Sequence, residues 1–170
     1  MAILNILNEE KNASELRKIS RPVDKINKRI TTLLDDMRQT LKEAGGIGLA
    51  APQVGILRRV AIIEIEEEEL LEMINPEIIY TEGEQTEIEG CLSSPGKFAE
   101  TLRPALVRVA YTDRNGEKKQ VEGTELLARA FCHELDHLDG VLCFDAAIRI
   151  FTQEELDEQR KEEQESQQQT

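Results

Sequence analysis

The sequence has no apolar run long enough to cross a membrane as a helix, so no membrane-spanning segment is expected. Its first residues, Met1-Ala2-Ile3-Leu4-Asn5, lack the basic region and long apolar core of a signal peptide, and a cytoplasmic location is expected. Cysteine is scarce. Cys91, Cys132 and Cys143 make an odd count without framework spacing, which argues for a reducing compartment and against a disulfide scaffold. Positive charge is also short: 21 Lys and Arg against 34 Asp and Glu give a net charge of -13. Bulk attraction to nucleic acid or anionic lipid is therefore excluded, and neither direct nucleic-acid binding nor a membrane partner is expected. There is no internal repeat and no interdomain linker, and 170 residues suffice for one domain with a real core.

Histidine is rarer still. The chain has two, and both lie in His133-Glu134-Leu135-Asp136-His137. On a helix, residues four apart share a face, so both imidazoles can reach one metal ion. Glu134 is placed to handle the proton of a reacting water. Thr124 to Leu138 contains neither Gly nor Pro, and Gly140 is a natural stop. Leu127, Phe131, Leu135 and Leu138 form an apolar stripe on the back of this helix, while Leu126 and Ala130 flank the histidines. A helix apolar on both sides is expected to be buried on both.

In chain order, residues 1–24 are mixed, with Pro22 ending any local helix. Apolar residues from Ile26 to Leu41 recur at helical intervals, and Gly45 and Gly46 close the helix. Gly46 to Gly55 loosely fits a dinucleotide loop, but it follows a helix rather than a strand, and Pro52 and Gly55 interrupt any helix after it. The better reading is bare backbone approaching a ligand closely. Val60–Ile65 reads as a strand, and Glu66–Glu69 as a solvated loop or helix start. Asn75-Pro76 is expected to precede a short strand at 77–81. Further strands are expected at 85–88, 105–112 and, after the turn Asp113 to Gly116, at about 117–121. Residues 1–150 are expected to form one catalytic domain. Residues 151–170 are an acidic polar tail, at best a helix that frays and at its end disorder.

A catalytic metal site needs a third protein ligand and one open position. No third histidine exists. Cys132 is rotated by about 100° from His133 around the helix and cannot easily share the ion. Cys143, within Val141-Leu142-Cys143-Phe144, reads as a small buried hydrophobe. Cys91, between Gly90 and Leu92 in a flexible polar setting, is the expected ligand.

Three segments together, Gly46-Ile47-Gly48-Leu49-Ala50-Ala51-Pro52-Gln53, Glu89-Gly90-Cys91-Leu92-Ser93 and His133-Glu134-Leu135-Asp136-His137, resemble the peptide deformylase family in type, order and separation. The similarity reaches from about residue 2 to Asp145. The resemblance implies an α+β fold with antiparallel β-strands packed around a central metal-binding helix. It implies a hydrolase that removes the formyl group from the N-terminal formylmethionine of new polypeptides, with Fe(II) the natural metal and Zn(II), Ni(II) or Co(II) able to replace it. Its partners would be N-formylmethionyl nascent chains, with transient contact with the ribosome. On that reading Cys91, His133 and His137 hold the metal. Glu134 carries the proton, and the Gln53 amide and Leu92 N–H stabilise the oxyanion. Backbone at Ile47, Gly48 and Gly90 pairs with the substrate as an added strand. Ile47, Leu126, Arg129, Ala130 and His133 form the methionine pocket, and Glu89 with Arg103 orients the site. The chain departs from the family at Ser94, where an aliphatic residue is usual, at Arg129 and Cys132, in the Asp145-Ala146-Ala147 stretch and in the tail. Arg129 bears on side-chain preference.

Overall fold

A computed structural model describes residues 1–66 and 68–169. Glu67, within the charge run read as a solvated loop or helix start, and Thr170, at the end of the tail, lie outside the described residues. The elements in order are α1 (Glu9–Leu16), α2 (Lys28–Ala44), β1 (Gly48–Ala50), β2 (Val60–Ile63), β3 (Leu71–Glu82), β4 (Gln85–Gly90), β5 (Lys97–Arg103), β6 (Leu106–Thr112), β7 (Lys118–Thr124), α3 (Glu125–Leu138), β8 (Arg149–Thr152) and α4 (Gln153–Gln168). Short 3-10 turns cover Ala51–Val54 and Cys143–Ala146.

The strands form two antiparallel sheets, one of five strands in the order β1-β2-β3-β6-β7 and one of three in the order β4-β5-β8. Strand β2 shows why the larger sheet is buried on two faces. Successive side chains on a strand point to opposite sides. Val60 and Ile62 pack with Leu34, Met37 and Leu41 of α2, while Ala61 and Ile63 pack with Phe131, Leu135 and Leu138 of α3. An uninterrupted apolar run is what such a position needs. The α+β architecture expected from the sequence is the one observed, with α3 at its centre.

Several expectations need correction. Helix α2 starts at Lys28 rather than Ile26, because the Asn27 side chain caps it by accepting from Ile30 N (3.2 Å). Asn75-Pro76 does not precede a strand but lies inside β3. The register shifts between Ile74 and Glu77, Asn75 takes φ 50°, and its side chain bonds Val23 N and O at 2.8 and 2.9 Å. A bulge with its own partner accommodates a proline inside a strand. Helix α1 and strands β1, β5 and β8 were not anticipated. The tail, expected to end in disorder, is helical to Gln168. Thr152 and Glu155 form a reciprocal cap (3.0 and 3.2 Å), and only Leu156 of this helix is buried.

Candidate metal centre and substrate cavity

Helix α3 carries His133 and His137 on one face, with Nε2 atoms 3.3 Å apart. Cys91 follows the last residue of β4, and its Sγ lies 3.3 Å from His137 Nε2. Among the described residues these three side chains form the one cluster of metal-ligand type, with donor atoms within 4.8 Å of one another. His133 Nδ1 faces Glu89 Oε2 at 2.7 Å, which fixes the ring and presents Nε2 to the cluster. A thiolate and two imidazoles suit a divalent transition metal, and three ligands leave a position open. The donor set fits one ion.

Glu89 is itself anchored. Its Oε1 accepts from Arg103 Nε at 2.8 Å and from the Thr101 hydroxyl, and Arg103 Nη1 reaches Asp136 Oδ2 at 2.7 Å. Burial would raise the Glu89 carboxyl, but its bonds to His133 and Arg103 outweigh that and hold it at about 2. The orienting pair expected at Glu89 and Arg103 is present. Thr101 and Asp136 complete it and were missed.

Glu134 is buried, and its Oε2 has no hydrogen-bond partner. Burial lifts its carboxyl to about 7, against the opposing charge of His133. Gln53 is 1% exposed. Its Oε1 accepts from Ala50 N at 2.9 Å, which aims Nε2 at Cys91 Sγ (3.6 Å) and Ser93 Oγ (3.2 Å). Cys132 and Cys143 are buried, and burial raises both thiols, that of Cys132 to about 11. Neither joins the cluster.

A cavity of about 380 Å³ opens on this cluster. Every residue expected to touch substrate lines it: Ile47, Gly48, Gly90, Leu126, Arg129 and Ala130. Gln53, Cys91, Leu92, His133 and Glu134 line it too, while His137 lies behind them, 1% exposed. Ile88 and Phe98 were missed. Phe98 belongs to β5, and its apolar side chain beside Lys97 was the available signal. Arg129 is tethered, Nη1 donating to Gln85 Oε1 at 2.8 Å, and Gln85 in turn donates to Pro104 O and Glu125 O. Strands β1 and β4 are outer strands of their sheets, and both contribute to the cavity wall. Among the described residues no strand pairs on the outer side of either.

Residues 3–152 match the family model described as Polypeptide deformylase. A peptide deformylase of Acetivibrio thermocellus is 56% identical over 146 residues, covering 86% of this chain and 85% of the relative. One of Thermoanaerobacter pseudethanolicus is 56% identical over 143 residues, covering 84% and 89%. Among solved structures, the peptide deformylase of Thermotoga maritima superposes with a TM-score of 0.82 at 34% identity, covering 88% of this chain and 100% of its own. A Met-Ala-Ser-bound class I type b peptide deformylase of Acinetobacter baumannii gives 0.80 at 31%, covering 85% and 99%. Sequence, fold and the chemistry of the cavity converge: the chain belongs to the polypeptide deformylase family, metal-dependent hydrolases that remove the N-formyl group from nascent polypeptides.

Proposed function

We propose that Cys91, His133 and His137 hold the metal, with Fe(II) the natural ion and Zn(II), Ni(II) or Co(II) as substitutes, and that Glu134 is the proton carrier. The observation that carries this is the buried Glu134 carboxylate, one oxygen unpartnered, in a cavity shared with Cys91 and His133. A divalent ion at this site supplies Lewis acidity, acidifying a water and polarising the formyl carbonyl. Glu134 takes a proton from the water as its oxygen bonds to the formyl carbon. It returns that proton to the amine nitrogen as the C–N bond breaks, giving formate and a free amino terminus. Buried in this cavity with one oxygen unpartnered, the Glu134 carboxylate is placed to take up a proton and give it back. The Gln53 Nε2 and the Leu92 N–H stabilise the oxyanion. Gln53 is suited to this because its carbonyl is already bound to Ala50 N, which fixes the amide.

The substrate lies extended between β1 and β4, pairing with backbone at Ile47, Gly48 and Gly90. Ile47, Leu126, Arg129, Ala130 and His133 receive the methionine side chain. A relative of the same fold is solved with Met-Ala-Ser bound, which supports a short peptide as the ligand. Residues 1–150 form the catalytic domain and 151–170 an appended tail. The setting is the cytoplasm, with transient contact with the ribosome that delivers the substrate. No helix among the described residues is long and apolar enough to cross a membrane.

Formate release from formyl-Met-Ala-Ser tests the reading. The chain loaded anaerobically with Fe(II) should turn over, lose activity to a chelator and regain it with Fe(II) or Ni(II). Cleavage of casein with no formate released would overturn it in favour of an endopeptidase.

A further inference from the structure

The start of the chain reaches both loops that carry the proposed oxyanion donors. Leu7 N donates to Gln53 O and Glu9 N to Ser93 O, each at 2.8 Å. The Ser94 hydroxyl donates to Glu9 Oε2 at 2.5 Å. Gln53 Nε2 already bonds Ser93 Oγ, and Ser94 N bonds Cys91 O at 2.9 Å. These contacts close a ring through the residues 7–9 segment, Gln53 and the turn after β4.

The segment is a firm anchor rather than a loose end. Glu9 is the first residue of α1, whose Asn8 cap accepts from Glu10 N at 2.9 Å, and Leu16 at the end of that helix is fully buried. Ser94 is itself buried and lines the cavity. A buried hydroxyl deprived of its acceptor is costly, so the turn must shift to restore one. That turn contains Leu92. It is also flanked by Gly90 and Gly96, which give its backbone room to move.

We propose that Glu9 and Ser94 are positioning residues: as a hydrogen-bonded pair they hold the Cys91–Ser94 turn so that the Leu92 N–H and the Gln53 amide meet the developing oxyanion. This rests on the deformylase reading above. It adds a part of the chain outside all three motifs to the active site, through Ser94 at the edge of the cavity. Loss of one oxyanion donor typically costs about 10²–10³ in kcat, and displacement of one costs a fraction of that.

Kinetics of the metal-loaded full chain on formyl-Met-Ala-Ser provide the test. Glu9→Ala and Ser94→Ala should each lower kcat by roughly fivefold to tenfold, with KM and metal content within about twofold of wild type. The double variant should be no slower than the slower single one, since one interaction is lost once. Glu9→Gln, which keeps an acceptor oxygen, should retain at least about half of wild-type kcat. Multiplying effects in the double variant, a changed KM at constant kcat, or a lowered melting temperature at constant kcat would each overturn the proposal. So would a Glu9→Gln variant as slow as Glu9→Ala. Should Ser94→Ala fail to fold, the comparison of Glu9→Ala with Glu9→Gln decides alone. Absence of formate release by wild type would instead refute the deformylase reading, with no rate left to compare.

Discussion

Gly48 and Glu134 occupy each other's space: a Cβ built on Gly48 would lie 2.5 Å from Glu134 Oε1. The glycine is thus required by close approach of a side chain to bare backbone, not by an unusual dihedral angle. Gly48→Ala should fold, because the obstructing atoms are the far end of a flexible side chain, but the carboxylate must leave its place. A misplacement of about 1 Å can cost on the order of 10²-fold, so kcat should fall at least tenfold with metal content unchanged. Stoichiometric metal with wild-type kcat would contradict this.

The same burial predicts a pH signature in stability. The folded Glu134 carboxyl is raised from 4.5 to about 7, so the fold favours its neutral form. Its contribution is therefore complete below pH 4.5 and is lost as pH rises through 7. Glu134→Gln removes that dependence and also removes the proton carrier. In denaturant titrations of the metal-free chain, the variant should gain up to about 3 kcal/mol over wild type between pH 4.5 and pH 8. Its deformylation should drop by about 10²–10⁴. A stability difference that does not vary with pH would contradict the buried carboxyl.

Metal analysis separates the three cysteines. Cys91→Ser should strip the ion or weaken its binding severely, since a hydroxyl is a poor substitute for a soft thiolate. Cys132→Ser and Cys143→Ser should keep it, because both thiols are buried outside the cluster and held protonated. Metal lost from Cys143→Ser but retained by Cys91→Ser would reverse the assignment.

Truncation after Thr152 should leave the rate on formyl-Met-Ala-Ser within about twofold, because no residue of α4 lines the cavity. It should still lower stability, since Leu156 is 2% exposed and burial of one leucine side chain is worth about 1.5–3 kcal/mol. Thermal melts and rates on the same samples check both halves, and a tenfold loss of rate would tie the tail to the site.

The metal cluster and cavity were largely legible in the sequence because each chemical role falls within a run of a few residues. His133 and His137 share a helix face by spacing alone, and Glu89 to Ser93 and Gly46 to Gln53 are contiguous. Strand β5 was illegible for a physical reason. Its buried Thr101 and its half-buried Arg103 are polar and bound to Glu89, so the apolar alternation that marks a half-buried strand is missing. Asn75-Pro76 read as a break because the side chain that rescues it bonds Val23, 52 positions earlier. The brace at Glu9 was hidden likewise: its partner Ser94 lies 85 positions away.

The free sides of β1 and β4 belong to different sheets, and the cavity lies against both. A peptide drawn out between them would become a temporary strand joining two sheets that the protein itself leaves separate. Only backbone with its own N–H and C=O groups unspent can do this. On the proposed binding mode, an amino terminus already folded into a helix or sheet has spent them and would be refused, whatever its first side chain. The window for such a substrate would then close as it folds, and a geometry tolerant of sequence would be intolerant of delay.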